Sequence, residues 1–211
     1  MRGVLKKLKR PAKRLLDPAD WGSFRSFEPK SRHYGVDRGT ALVRHYIEAF
    51  LQEDPGDVHG VVLEVASDAY ARRFGGSRIE LTEVVSIAAG PGVTIVGGPA
   101  FAAAAAEEHF PCIILTQTLC FIYDAKAALQ SCHDALQPGG VLLLTVPGIC
   151  QISSFDDGLT GDYWRFTAAS TPRLLGEVFA VVDVRSYGNV LAAVAYLHGI
   201  AKEELTSQEL D

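Results

Sequence analysis

The chain has no apolar run approaching the ~18–20 residues that a membrane-spanning helix needs, so no span is expected within its 211 residues. Its opening residues also lack the apolar core and small-residue cleavage site of a secretory signal. The expected location is therefore cytoplasmic. Cysteine is scarce: Cys112, Cys120, Cys132 and Cys150, no two of them at the two-residue spacing of a zinc knuckle. Cys112 lies in an apolar run, where cysteine acts as a small hydrophobe, and all four read as reduced structural thiols. The six histidines, His33, His45, His59, His109, His133 and His198, include no four-residue helical pair. No metal is expected. No G-x-G-x-x-G follows the first apolar run, which argues against a dinucleotide-dependent oxidoreductase.

Acid is missing at one end only. The whole sequence carries 20 Lys+Arg and 25 Asp+Glu, net −5. Residues 1–16 hold seven basic residues and no acid, and without those seven the remainder has 13 basic against 25 acidic residues, or −12. A body that acidic argues against nucleic acid as a partner. In the tail, Val4, Leu5, Leu8, Leu15 and Leu16 could form a short apolar face on an anionic membrane. The plainer reading is a solvated tail, or a helix folded onto the acidic body.

What is present suits one globular domain: 48% hydrophobic residues give a sizeable core. Residues 1–20 read as the basic tail and 21–211 as a single domain, with 21–56 an N-terminal arm and helix. The clearest segment is Phe110 to Pro147. An apolar run, Cys112 to Leu115, meets polar Thr116-Gln117-Thr118. A helical stretch follows, and Pro138-Gly139-Gly140 punctuates the chain before the apolar run Val141 to Val146. That is strand, helix, turn, strand: a crossover between two buried parallel strands. Elsewhere strands are expected at Val61–Val65, Arg78–Leu81, Val93–Val96 and Val181–Ser186. Helices are expected at Thr40–Gln52, Ser67–Phe74, Phe101–Glu108, Ala125–Leu136 and Ser170–Val178, with a mostly helical tail over Asn189–Leu205. This alternation implies an α/β fold, a mainly parallel sheet with helices on both faces. Ligands of such sheets sit beyond the carboxyl ends of the strands, which makes Thr116-Gln117 a candidate ligand edge.

The segment LQPGGVLLLTVPG resembles the fifth strand of class I S-adenosylmethionine-dependent methyltransferases, which have a Rossmann-like fold. With YGVDRGT (Tyr34–Thr40), VLEVASDAYARRFGG (Val62–Gly76), CIILTQTLCFIYD (Cys112–Asp124), DYWRFT (Asp162–Thr167) and GNVLAAVAYLHGIAKEEL (Gly188–Leu205), the pattern resembles a bacterial branch often encoded beside glycosyltransferases. The resemblance implies S-adenosyl-L-methionine as cofactor. It also implies one further strand after the tail, antiparallel to the rest, and the sequence ends at Asp211 before it. A sheet with that place unfilled would expose backbone groups and invite a homodimer.

By the same resemblance, the cofactor-binding positions are Glu64, Ala66, Asp68, Glu83, Gly98 and Gln117. Glu64 and Asp68 fit an E-I-G-D-x-x-Y loop in which Ala66 replaces the glycine, and a methyl group there restricts φ. Glu83, placed after strand two, is the expected grip on the ribose hydroxyls. Gly98 stands where an aspartate should face the adenine amine, and Pro111 replaces a second aspartate. Losing one charge-assisted hydrogen bond costs ~1.5–3 kcal/mol.

For the acceptor, Arg38 and Arg44 match R-G-T-P-x-x-R, with Ala41 in place of the proline. Two guanidinium groups could clamp a phosphate or carboxylate on a sugar acceptor. Tyr163 and Arg165 are the other expected substrate contacts, while Trp164 and Phe166 are expected to pack the loop. Asp162 and His33 are the candidate bases. The implied activity is methyl transfer to a small acceptor such as a sugar or secondary metabolite. The alternative is a methyltransferase-like protein that has lost transfer, serving a glycosyltransferase as a partner or running a cofactor-independent reaction.

Overall fold

The computed structural model describes residues 25–97, 110–153 and 161–211, together with residue 22. Five strands form one sheet: β1 (Gly60–Val65), β2 (Ile79–Ser86), β3 (Ile95–Val96), β4 (Phe110–Thr116) and β5 (Leu136–Thr145). Their order is β3-β2-β1-β4-β5, and every pairing is parallel. The Val-Ile-Leu runs of β1 and β4 explain this. Strands covered on both faces need apolar side chains at every position rather than alternate ones.

The two faces are visible in the core. Val62, Cys112, Ile114 and Leu143 turn to one side and meet Ile47 and Leu51 of helix α1 (Val43–Glu53). Tyr70 and Phe74, in and beside a π turn at Ala71–Gly75, complete that cluster. Leu63, Ile113 and Leu115 turn to the other side, against Cys132 and Ala135 of helix α2 (Ala125–Ala135). Asp124 caps α2 by accepting from the Ala127 amide at 2.9 Å. Each fully buried leucine or isoleucine contributes roughly 1.5–3 kcal/mol, and this fixes the register of the central strands.

The chain closes with α3 (Ser170–Leu175), α4 (Val190–His198) and α5 (Ser207–Leu210). Thr167 accepts from the Ser170 amide at 3.0 Å ahead of α3. Asn189 caps α4, and Gly199, at φ +66°, ends it.

Two expectations are corrected here. Pro138-Gly139-Gly140 is not a turn before the fifth strand. It lies inside β5, where the pairing jumps from Phe110–Leu136 to Cys112–Val141. Three residues of β5 bulge out at that point, with Gly139 at φ +81°. The same irregularity accommodates Pro111, which cannot donate to a ladder. Second, residues 181–186 form no strand. A hollow of about 1470 Å³ separates them from β5, so they have no ladder partner there, and Val181 is almost fully exposed. The last antiparallel strand, which the sequence is read as ending before, does not join the sheet among the described residues. The antiparallel contact present there is a single bridge, Ala41 to Ala201. The helix expected over Phe101–Glu108 and the basic tail fall outside the described residues. Among those described, no helix is long and apolar enough to cross a membrane.

Candidate functional site

The chain leaves β1 towards β2 and leaves β4 towards β5, on opposite sides of the β1–β4 pair. The loops that follow these two strands therefore part, and a crevice opens at their carboxyl ends. In this molecule the crevice is a hollow of about 320 Å³, lined by Glu64 to Ser67, Ala69, Tyr70, Thr116, Gln117 and Cys120. Its outer wall comes from the N-terminal arm and α1 (Tyr34, Val36, Arg44), with Cys150, Asp162 and Tyr196 closing the far side.

Backbone strain gathers at this hollow. Among the described residues, three that are not glycine have positive φ: Tyr34 at +56°, Ala66 at +69° and Gln117 at +50°. All three line it. A left-handed residue with a Cβ costs roughly 1–2 kcal/mol, and such costs persist where the surroundings impose them, typically at functional sites. Gln117 is held by its amide, which donates to the Thr145 carbonyl at 2.9 Å, and by Nε2, which donates to Thr145 Oγ1 at 3.2 Å.

Glu64 orders the loop after β1. The residue is 2% exposed, and its carboxylate accepts from the amides of Tyr70 (3.2 Å) and Ala71 (2.8 Å). Burial raises its pKa to about 7, against the opposing pull of those two amides. Asp68 pairs with Arg72 and is not part of the lining. Arg44 reaches the Tyr70 hydroxyl from α1. Arg73 takes Glu48 by both oxygens, at 2.6 and 3.0 Å.

The opposite end is built around Asp162 and Arg165. Their side chains form a two-point ion pair, and Asp162 also accepts from the Ser153 amide at 2.8 Å. The Arg165 hydrogen bond holds the Asp162 pKa below its ordinary value. Arg165 also donates to the Gln151 carbonyl at 2.8 Å. Gln151 straps the arm down: Nε2 donates to the carbonyls of Ser31 (2.6 Å) and Leu197 (2.9 Å). Burial raises the pKa of Tyr34, Tyr196, Cys120 and Cys150, so their O–H and S–H groups stay protonated.

The predicted residues divide. Glu64, Ala66, Gln117, Arg44 and Asp162 come together at the hollow. Arg38 does not: it is spent on Glu204, with contacts of 2.8 and 2.5 Å. Glu83 lies inside β2, opposite Leu63, rather than after the strand, and is not in the lining. His33 is exposed on the arm outside the lining. Tyr163 is half-exposed and meets Tyr123 edge-on at 5.3 Å between ring centres. Phe166 packs into the core, while Trp164 donates from Nε1 to the carbonyls of Ile122 and Tyr123. Gly98 lies outside the described residues. Among the described residues, no three His, Cys, Asp or Glu side chains are grouped to hold a metal.

Residues 39–144, half of the chain, match the family described as methyltransferase domain. The chain belongs to that family. The fold agrees: the chain is similar to the N-methyltransferase NodS from Bradyrhizobium japonicum WM9, solved with S-adenosyl-L-homocysteine, at TM-score 0.51 and 15% identity, over 74% of this chain and 85% of that one. It is also similar to an S-adenosylmethionine-dependent methyltransferase from Mesorhizobium loti, at TM-score 0.44 and 14% identity, over 68% and 82% of the two chains. No curated protein matches it.

The residues of this methyltransferase domain fit a donor such as S-adenosylmethionine. The strained loops at Ala66 and Gln117 bring backbone to the hollow's floor, and Arg44 and Tyr70 offer a cation and a phenol at one end. Sequence reasoning overlooked Tyr34, Tyr70, Tyr196, Cys120, Cys150 and Gln151. The Tyr34-Gly35 pair was the available signal. A Cβ on Gly35 would stand 3.0 Å from the Gly199 carbonyl, so the arm must approach α4 closely there.

Proposed function

We propose that the chain transfers the methyl group of S-adenosylmethionine to a small acceptor, a sugar or secondary metabolite, held in the 320 Å³ hollow. One observation carries this reading: the three left-handed, non-glycine residues converge on that hollow at the sheet's crossover point. When bound, S-adenosylmethionine supplies an electrophilic methyl group on a sulfonium. The residues then have separate tasks. Glu64 holds the loop after β1. Ala66 and Gln117 present backbone towards the donor. Tyr34 and Tyr196 border the acceptor side, Arg165 holds Asp162 from behind it, and the Gln151 strap keeps that side closed. Asp162 already neutralises Arg165, so its role is to position the acceptor. Most of the rate enhancement then comes from placement. Titration with S-adenosylhomocysteine tests the donor site, with a Kd between about 1 and 100 μM expected; no heat at millimolar ligand would overturn it.

A second reading keeps the architecture without transfer, as a glycosyltransferase partner. The Asp162–Arg165 pair, which leaves the candidate base already neutralised, favours it. Gly98→Asp with Pro111→Asp separates the two. Donor binding tightened at least about tenfold marks a decayed donor site. Unchanged binding in a folded variant marks a pocket reshaped for other work.

A further inference from the structure

Two electrostatic ends can be told apart in the hollow. One is the Tyr34, Cys120, Cys150, Asp162, Arg165 and Tyr196 group, whose members act on one another. The other is the loop end, where Tyr70 feels Arg44, Glu48 and Glu64. At the first end the cation and the anion cancel. At the second they do not. On a helix, the natural partner of Arg44 is Glu48, four residues on. Glu48 is instead taken from the far side by Arg73, through both oxygens. Asp68 is taken by Arg72. Glu64 is buried against two amides. Arg44 is left lining the hollow with no ion pair among the described residues, its contact there being the Tyr70 hydroxyl.

We infer that Arg44, flanked by the Tyr70 hydroxyl, is a carboxylate-binding residue for the amino-acid end of the methyl donor, and that the acceptor occupies the opposite, Asp162–Arg165 end. The inference rests on the donor reading proposed above. A planar guanidinium with no counter-charge, on a surface bordered by protonated phenols, calls for an anion from the ligand. Position decides between the two anions on offer. Arg44 stands over the loop that follows β1, and a carboxylate on the acceptor would have to cross the hollow to reach it. The two arginines predicted to act as one clamp therefore part: Arg38 ties the arm to Glu204, and Arg44 reads the donor.

Two ligands isolate this contact. S-Adenosylhomocysteine carries the amino-acid carboxylate, and 5′-methylthioadenosine lacks it. Both are titrated calorimetrically into the wild type, Arg44→Gln and Arg44→Lys. Arg44 is exposed near the start of α1, so folding should survive, and circular dichroism verifies this. The expected result is a loss of about 10- to 100-fold for S-adenosylhomocysteine in Arg44→Gln, the range of a charge-assisted hydrogen bond, with methylthioadenosine unchanged. Arg44→Lys should recover part of the loss. Equal weakening of both ligands would overturn the inference and make Arg44 a brace for the Tyr70 loop. No change for either would overturn it too, and would move any anion recognition to the acceptor. A wild type that binds neither ligand defeats the donor reading itself, and this inference with it.

Discussion

The two hollows described above share Val43, Ile47, Gln117, Pro147 and Tyr196 as a common wall, yet they differ in kind. The larger, about 1470 Å³, runs along the outer edge of β5 and is bordered by aliphatic side chains and by glycines at positive φ, Gly139 and Gly188. Its one strained non-glycine residue is Gln117, in the wall it shares with the smaller hollow. The smaller, about 320 Å³, concentrates the left-handed non-glycine residues, a buried carboxylate and an uncompensated guanidinium. Volume here reflects where a sheet edge has no neighbour. Chemistry is found where the fold holds its backbone and its charges in costly arrangements.

The sharpest way to break this contrast is Glu64→Leu. It leaves two buried amides without an acceptor, at ~1–3 kcal/mol each. Denaturant unfolding should show a loss of about 2–5 kcal/mol, and S-adenosylhomocysteine binding should disappear. Val184→Ala, in the wall of the larger hollow, should cost under about 1 kcal/mol in the same experiment and leave ligand affinity unchanged. Similar losses from the two would erase the distinction.

Next in size is an effect of pH. The folded chain holds the Glu64 proton more tightly than the unfolded chain does, with a pKa of about 7 against an ordinary 4.5. Its stabilising contribution is complete below pH ~4.5 and is lost as pH rises through 7, at up to ~1.4 kcal/mol per pH unit. Wild type should therefore lose on the order of 2–3 kcal/mol relative to Glu64→Gln between pH 5 and 7. Parallel unfolding curves at the two pH values check the sign.

Ala66→Val adds a β-branched side chain at φ +69°. It should destabilise by about 1–3 kcal/mol and weaken S-adenosylhomocysteine at least tenfold. Ala66→Gly gives the smallest effect and the opposite sign. Release of the left-handed strain should exceed the entropy that glycine loses by up to ~1 kcal/mol.

Much of this was legible in the chain. The unbroken apolar runs of β1 and β4 gave their parallel, buried setting, and a polar Gln117 closing such a run marked the crevice. The division of labour between Arg38 and Arg44 was not legible. Both look alike in sequence, and Glu204, which claims the first, lies 166 residues away. Nor was strain legible, because φ at Tyr34, Ala66 and Gln117 is set by tertiary contacts rather than local preference. The strand expected at 181–186 has suitable residues, but a strand needs a ladder partner, and the local sequence does not contain that information. The end of β2 was misplaced for a similar reason: pairing with β1 carries it on to Ser86, which leaves Glu83 in its interior.

The cysteines give the molecule a clock. Cys112, Cys120 and Cys132 are sealed inside, and burial pushes each thiol up to about 12. They are shielded from alkylation both by contact and by protonation, since only thiolate reacts. The pace at which a maleimide consumes them therefore times the opening of the folded chain. Cys150, half-buried at the rim, keeps a separate time, set by whatever occupies the space in front of it.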